Sequence, residues 1–276
     1  MTDVAAPRTA RATAPLPIFR RWLIDGWRGL VGWALGCAAV IFLYLPLYPA
    51  MRTPELTSLL DSLPPELVRT LGYDDITTGA GYVQATFFGL IGFVLIAIAT
   101  IGWGAAAIGG AEESGRLELV LSHAVGRARY ALESALALLV KLIVLGAVVW
   151  VLVWALNGPA ELDLDPVGLL AVTIAWMGIG ALCATVALAV GALTGRRIWG
   201  IGAGAAVAVA GYVLQAVANN SEQLDRLRVF SPYEWAYGAS PLADGFDAVG
   251  LALLWGGSAL FTLVAVAALS RRDVLG

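Results

Sequence analysis

The chain has 276 residues, 59% of them hydrophobic and 13% charged, with a mean hydropathy of +0.81 and a formal net charge of −3. That balance excludes an ordinary water-soluble domain and a disordered chain, and gives no basis for a nucleic-acid partner. Two cysteines, Cys37 and Cys183, both inside apolar runs, exclude a disulfide framework or metal-ligand spacing and read as small hydrophobes.

Residues 1–17, rich in Ala, Thr, Pro and Arg, read as a disordered cytosolic tail. They are not expected to form a cleavable leader. The apolar run that follows is too long for one, and Leu45-Pro46-Leu47-Tyr48-Pro49 at its far end lacks a small-residue cleavage pattern. Residues 18–276 read as one transmembrane domain. Ile18, Phe19, Trp22, Leu23, Trp27 and Leu30 repeat at helical spacing opposite Arg20, Arg21, Asp25 and Arg28, which predicts an interfacial helix over 18–28 or a first span that begins early.

A hydrocarbon layer about 30 Å thick takes roughly 20 helical residues. Six stretches meet that length: 27–47, 84–110, 134–156, 167–193, 198–218 and 249–269. Helices are expected because unpaired backbone groups cost too much in lipid and the alternation of barrel strands is missing. The second stretch exceeds what one span needs and is expected to tilt or project.

Between the first two spans, Thr53-Pro54-Glu55 is a helix-start signal, and Leu56, Leu59, Leu60 and Leu63 form a stripe. Pro64-Pro65-Glu66 restarts the pattern until Gly72, so short outer helices are expected over about 54–71, either gating an exit or covering the span ends. A further outer element is expected over about 224–246, where Phe230-Ser231-Pro232-Tyr233-Glu234-Trp235 sets aromatic residues beside proline breaks.

Twelve arginines fall before the first span, after the second, after the fourth and after the sixth, against four, Arg52, Arg69, Arg226 and Arg228, in the opposite loops. By the positive-inside rule both termini are cytoplasmic. Acids gather in the opposite loops, as at Asp74, Asp75, Glu161, Asp163, Asp165, Asp244 and Asp247.

The segment from Glu112 to Arg127 is a charged, helix-patterned insert between the second and third spans. Leu117, Val120, Leu121 and Ala124 fall at i, i+3, i+4 and i+7, with Glu113, Arg116, Glu118 and Arg127 around them. A plain linker has no need of such a stripe, which suits the grip of a soluble partner. His123, the only histidine, lies on this segment and fits a contact at that surface better than proton chemistry. A hydrolase would need a catalytic pair or triad, which one histidine in a connection does not supply.

These features resemble the permease subunits of ABC-2 type ATP-binding cassette exporters over nearly the whole chain. That family carries a pattern close to Glu-x-x-x-Gly-x-Leu-x-Leu-Leu-Leu-x-x-Pro-x-x-Arg on the helix that docks on the ATPase. Glu112 or Glu113, Gly115, Leu117, Leu119, Leu121 and Arg127 take those places. Val120 and Ala124 replace the usual Leu and Pro, and Glu133-Ser134 stands where the family often has Gly-Lys; the alanine leaves the helix free to run on. The run from Asp25 to Gly36, Tyr48-Pro49, Phe230-Ser231-Pro232 and Pro241-Leu242 look like the actinobacterial antibiotic-exporter branch.

The resemblance implies an all-α, ABC-2 (type V) exporter-like transmembrane domain with a coupling helix over about 112–127. Its ATPase-coupling residues would be Glu112, Glu113, Gly115, Arg116, Leu117, Glu118, Val120, Leu121, Ala124 and Arg127. It also implies two cytoplasmic ATPase subunits, a second permease chain, identical or sister, and a lipid surround in the cell membrane. The chain contains no Gly-x-x-x-x-Gly-Lys-Ser/Thr loop, so ATP and Mg are expected on the partner ATPase and no cofactor on this chain. The implied cargo is an amphiphilic or hydrophobic compound such as an antibiotic, drug or lipid. Trp33, Phe42, Phe87, Phe88, Phe93 and Trp103 are candidate pathway residues, with Lys141.

A charge at mid-bilayer costs roughly 2.5–3.5 kcal/mol on insertion scales. Glu133 lies close to the cytoplasmic boundary, and Lys141, about two turns deeper, is expected to snorkel, or else to meet a polar group in the transport path. Two other readings stand beside export. One is an ATP-independent secondary transporter or channel, weakened by few intramembrane acids and no visible repeat; the other is a membrane anchor or sensor for a cytoplasmic partner.

Overall fold

The structure, a computed structural model, describes residues 16–51, 78–122, 125–219 and 222–272. Residues 1–15 of the expected tail and the outer helices over 54–71 lie outside these residues, as do His123 and Ala124, while Pro17, expected in the tail, already begins the first helix. Every regular element among the described residues is helical. Six helical stretches are long and apolar enough to cross a membrane, so the chain reads as a multi-pass membrane protein.

The first is α1 (Pro17–Tyr44), continued by a 3-10 turn (Leu45–Leu47) and α2 (Tyr48–Met51). No break separates the expected interfacial segment from the first span. The second combines α3 (Gly79–Val83), a π-helical segment (Gln84–Ile91) and α4 (Gly92–Ala107). It starts five residues before the predicted 84 and stops before 110, because Thr78 caps it by accepting from the Gly81 amide at 3.0 Å and the helix breaks at Ile108. After α5 (Gly109–Glu113) and α6 (Arg116–Leu121) come three further spans, α7 (Arg127–Asn157), α8 (Pro166–Thr194) and α9 (Arg197–Asn219). A 3-10 helix (Glu222–Phe230), α10 (Pro232–Tyr237) and α11 (Pro241–Asp244) then lead to the last span, α12 (Ala248–Arg271).

The bundle is organised around α8, which packs against α4, α7, α9 and α12. This helix is apolar on every side and carries Gly168, Gly178, Gly180 and Gly191 at contacts, so neighbouring backbones approach closely. Its ends are well specified: the Asp165 carboxylate accepts from the Val167 and Gly168 amides, both at 2.9 Å, with Pro166 in the first turn. Gly195, at φ 70°, closes the other end in the left-handed conformation. Asp247 caps α12 in the same way, through the amides of Val249 and Gly250.

α8 is largely enclosed within the chain, whereas α1, α9 and α12 leave most of their apolar surface uncovered. The acid-capped starts of α8 and α12 lie at one end of the bundle. The start of α7, the α8–α9 connection and Arg272 lie at the other, called the basic end below.

Candidate partner-docking site

The predicted helix over 112–127 is not continuous. It bends at Ser114 and Gly115, where Gly115 takes φ 68°, and among the described residues of the insert only Arg116–Leu121 is helical beyond the bend. The reason is local. Glycine enters the left-handed region without the Cβ penalty, and the Ser114 hydroxyl donates back to the Gly110 and Ala111 carbonyls at 2.8 and 3.2 Å, closing the preceding turn. Arg127 belongs to the start of α7 rather than to the insert.

The face that α6 turns inward also differs from expectation. Leu117 is fully buried, in a cluster with Ile18, Ile108, Ala111, Tyr130 and Leu269, with Val120 and Leu121 partly covered at its edge. Arg116, Glu118 and Leu119 face outward. The apolar stripe is therefore the anchor of the short helix on the bundle, and the exposed surface is the opposite one.

The flanking charges hold that anchor from both sides. Glu112 is ion-paired with Arg272, whose guanidinium also donates to the Ala192 carbonyl at 2.8 Å, while Arg127 donates to the Arg272 carbonyl at 2.6 Å. Glu113 accepts the Arg197 backbone amide at 3.0 Å. Gly109 lies so close to the connection between α8 and α9 that a Cβ would fall 2.8 Å from the Arg196 carbonyl carbon. The ends of α8 and α12 and the starts of α7 and α9 thus meet at α5, one turn from α6. Arg272 was not marked out by any motif; its position just past the last apolar span was the only signal for it.

The start of α1 is fixed to the same end. Glu133 accepts from the Ile18 and Phe19 amides at 2.9 and 3.1 Å and from Arg129 at 2.6 Å. A buried carboxylate facing a helix start satisfies otherwise orphaned amides. Lys141 is also held inside the protein, its ammonium 4.9 Å from the ring centre of Trp22 and 5.5 Å from that of Trp103. It reaches toward the basic end, as the expected snorkelling would have it, yet it finishes between two indoles.

Comparison with known proteins returns no matching family model and no matching curated relative.

The remaining pathway candidates do not line a common surface. Phe87 and Phe88 are buried against Trp176, and Phe93 packs on Tyr212 and Tyr233. Trp33 lies at the edge of the core, while Phe42 faces outward. An apolar cleft of about 430 Å³ opens elsewhere, between α9 and α12, over Leu182 and Val186 and beneath Pro232 and Trp235. Sequence periodicity carried no sign of it, because residues from four elements form its walls.

Proposed function

We propose that the chain is the transmembrane subunit of an ATP-driven exporter of the ABC-2 type, working in the cell membrane as a dimer with a second copy or a sister chain. Two cytoplasmic ATPase subunits bind ATP and Mg. The cargo is an amphiphilic or hydrophobic compound such as an antibiotic, drug or lipid, moved outward.

One observation carries this reading: a short helix, α6, presents Arg116, Glu118 and Leu119 outward while Leu117 and the Glu112–Arg272 pair fix it to the bundle. A push on an isolated surface loop would be absorbed by the loop. A push on α6 is instead delivered to the ends of α8 and α12 and the starts of α7 and α9. Such an element suits the transfer of force from a closing ATPase. The uncovered faces of α1, α9 and α12 leave room for a second subunit, and an apolar cleft suits cargo that needs area more than charge partners.

The test is co-purification with candidate ATPases encoded beside the chain, followed by ATP turnover in vesicles. Glu118→Arg and Leu119→Asp are expected to abolish co-elution and stimulated turnover while the chain still inserts and melts as the wild type does. Retention of full ATPase binding by both variants, or solute flux through the chain alone, would remove the export assignment.

A further inference from the structure

Lys141 is 2% exposed and sits on α7, whose Cα–Cβ bonds tilt toward the basic end. Its ammonium carries three N–H donors. Two indole faces attract the charge electrostatically but accept none of those donors in a conventional hydrogen bond. No carboxylate among the described residues reaches the ammonium, because Glu133, two turns away on the same helix, is engaged by Ile18, Phe19 and Arg129. A cation held between indoles with no carboxylate beside it is costly in a membrane, and an anion entering the seam would offset that cost.

The surroundings provide a route for one. Trp22, Gly26 and Trp103 are each half-buried, which puts the ammonium one side chain beneath the seam between α1 and α4. Gly26 leaves room for the ammonium, since a Cβ there would come 3.0 Å from the Lys141 Cε and closer still to Nζ. Gly29 and Gly36 continue from Gly26 at helical spacing with open space above them, beside the half-buried Trp33 and Val40. The result is a trough of bare helix backbone running from the cation along an apolar surface.

We propose that this seam binds the acidic headgroup of an amphiphile, a phosphate or carboxylate, from the leaflet at the basic end. The headgroup oxygens accept from the Lys141 ammonium between the two indoles, and the tail lies along the glycine trough of α1. The assignment is independent of export, because it requires neither an ATPase nor transport.

The experiment uses the whole chain, purified in neutral detergent, and follows equilibrium binding of a fluorescent short-chain phosphatidylglycerol. Unlabelled phosphatidylglycerol, phosphatidylcholine and inorganic phosphate serve as competitors. Phosphatidylglycerol is expected to compete about tenfold or more better than phosphatidylcholine, as one charge-assisted contact predicts. Lys141→Met is expected to abolish that preference, and Gly26→Ala, whose methyl occupies the ammonium's seat, to weaken it. Melting curves establish that both variants are folded. Equal competition by the two lipids, or an unchanged preference in both folded variants, would overturn the site. Inorganic phosphate competing as well as phosphatidylglycerol would overturn the amphiphile and leave a free-anion site.

Discussion

Glu112 and Arg272, 160 positions apart in the chain, are ion-paired across the basic end of the bundle. Both side chains are mostly covered, so the pair is screened less than a surface bridge. A double-mutant cycle with Glu112→Gln and Arg272→Ala is expected to give a coupling of about 1–2 kcal/mol in thermal unfolding. Arg272→Ala is expected to cost more than Glu112→Gln, because it also releases the Ala192 carbonyl. Strict additivity of the two substitutions would show that the pair does not hold the ends of α5 and α12 together.

Leu117 and Leu119 separate anchoring from docking. Leu117→Ala empties a fully buried position and is expected to cost about 2–5 kcal/mol of stability. Leu119→Ala, on the exposed side, is expected to stay within about 0.5 kcal/mol. Melting both in detergent decides the orientation of α6; equal costs would contradict it.

Glycines two residues apart on α4 are expected to respond in opposite senses. A Cβ at Gly104 runs into the backbone of Ala184 on α8, and backbone cannot turn aside, so Gly104→Ala is expected to cost about 1–3 kcal/mol. A Cβ at Gly102 meets nothing within 4 Å, and Gly102→Ala is expected to be neutral or stabilising by up to about 1 kcal/mol. Melting temperatures of the two variants compare the packing of α4 directly.

Glu133→Gln tests the attachment of α1. Losing a charged acceptor for the Ile18 and Phe19 amides is expected to cost about 1–3 kcal/mol and to speed hydrogen exchange at those two amides. Unchanged protection there would show that the start of α1 is fixed by its apolar contacts alone.

Tyr233 and Tyr237 set an alkaline limit. Burial pushes both phenols up, helped at Tyr233 by the neighbouring Tyr212 and at Tyr237 by Tyr233. A phenol raised in the folded state adds stability that is full below the unfolded value, about 10, and is lost as pH rises through the folded one. The melting temperature is therefore expected to fall above about pH 10. Tyr233→Phe, which removes the 2.8 Å donation to the Gly89 carbonyl, is expected to lower the whole curve and soften that fall.

The spans were readable in the sequence because length and apolarity decide them, and six apolar stretches correspond to six long helices. The character of the insert was readable only in part. Leu117, Val120 and Leu121 do form a stripe, but periodicity identifies a sticky face without saying whether it faces inward or outward. Gly115 was read as one place in a helical motif, whereas its left-handed backbone ends one helix and starts another. Glu112 and Arg127 were read as contacts for a partner because the residue that engages both, Arg272, lies far along the chain. Pairings over such separations leave no local pattern. The same holds for Lys141, whose two indoles come from different spans.

The charges of α7 also bear on how the chain enters a bilayer. Besides Arg129 on its own helix, the groups that receive Glu133 and Lys141, namely Ile18, Phe19, Trp22 and Trp103, are all synthesised earlier. When the third span leaves the insertion machinery, its acid and its base find their hosts already waiting, so neither has to linger in hydrocarbon. The later α8 carries no acidic or basic side chain from Pro166 to Thr194 and can await the two spans that enclose it at little cost. Burial and order of synthesis agree along the chain.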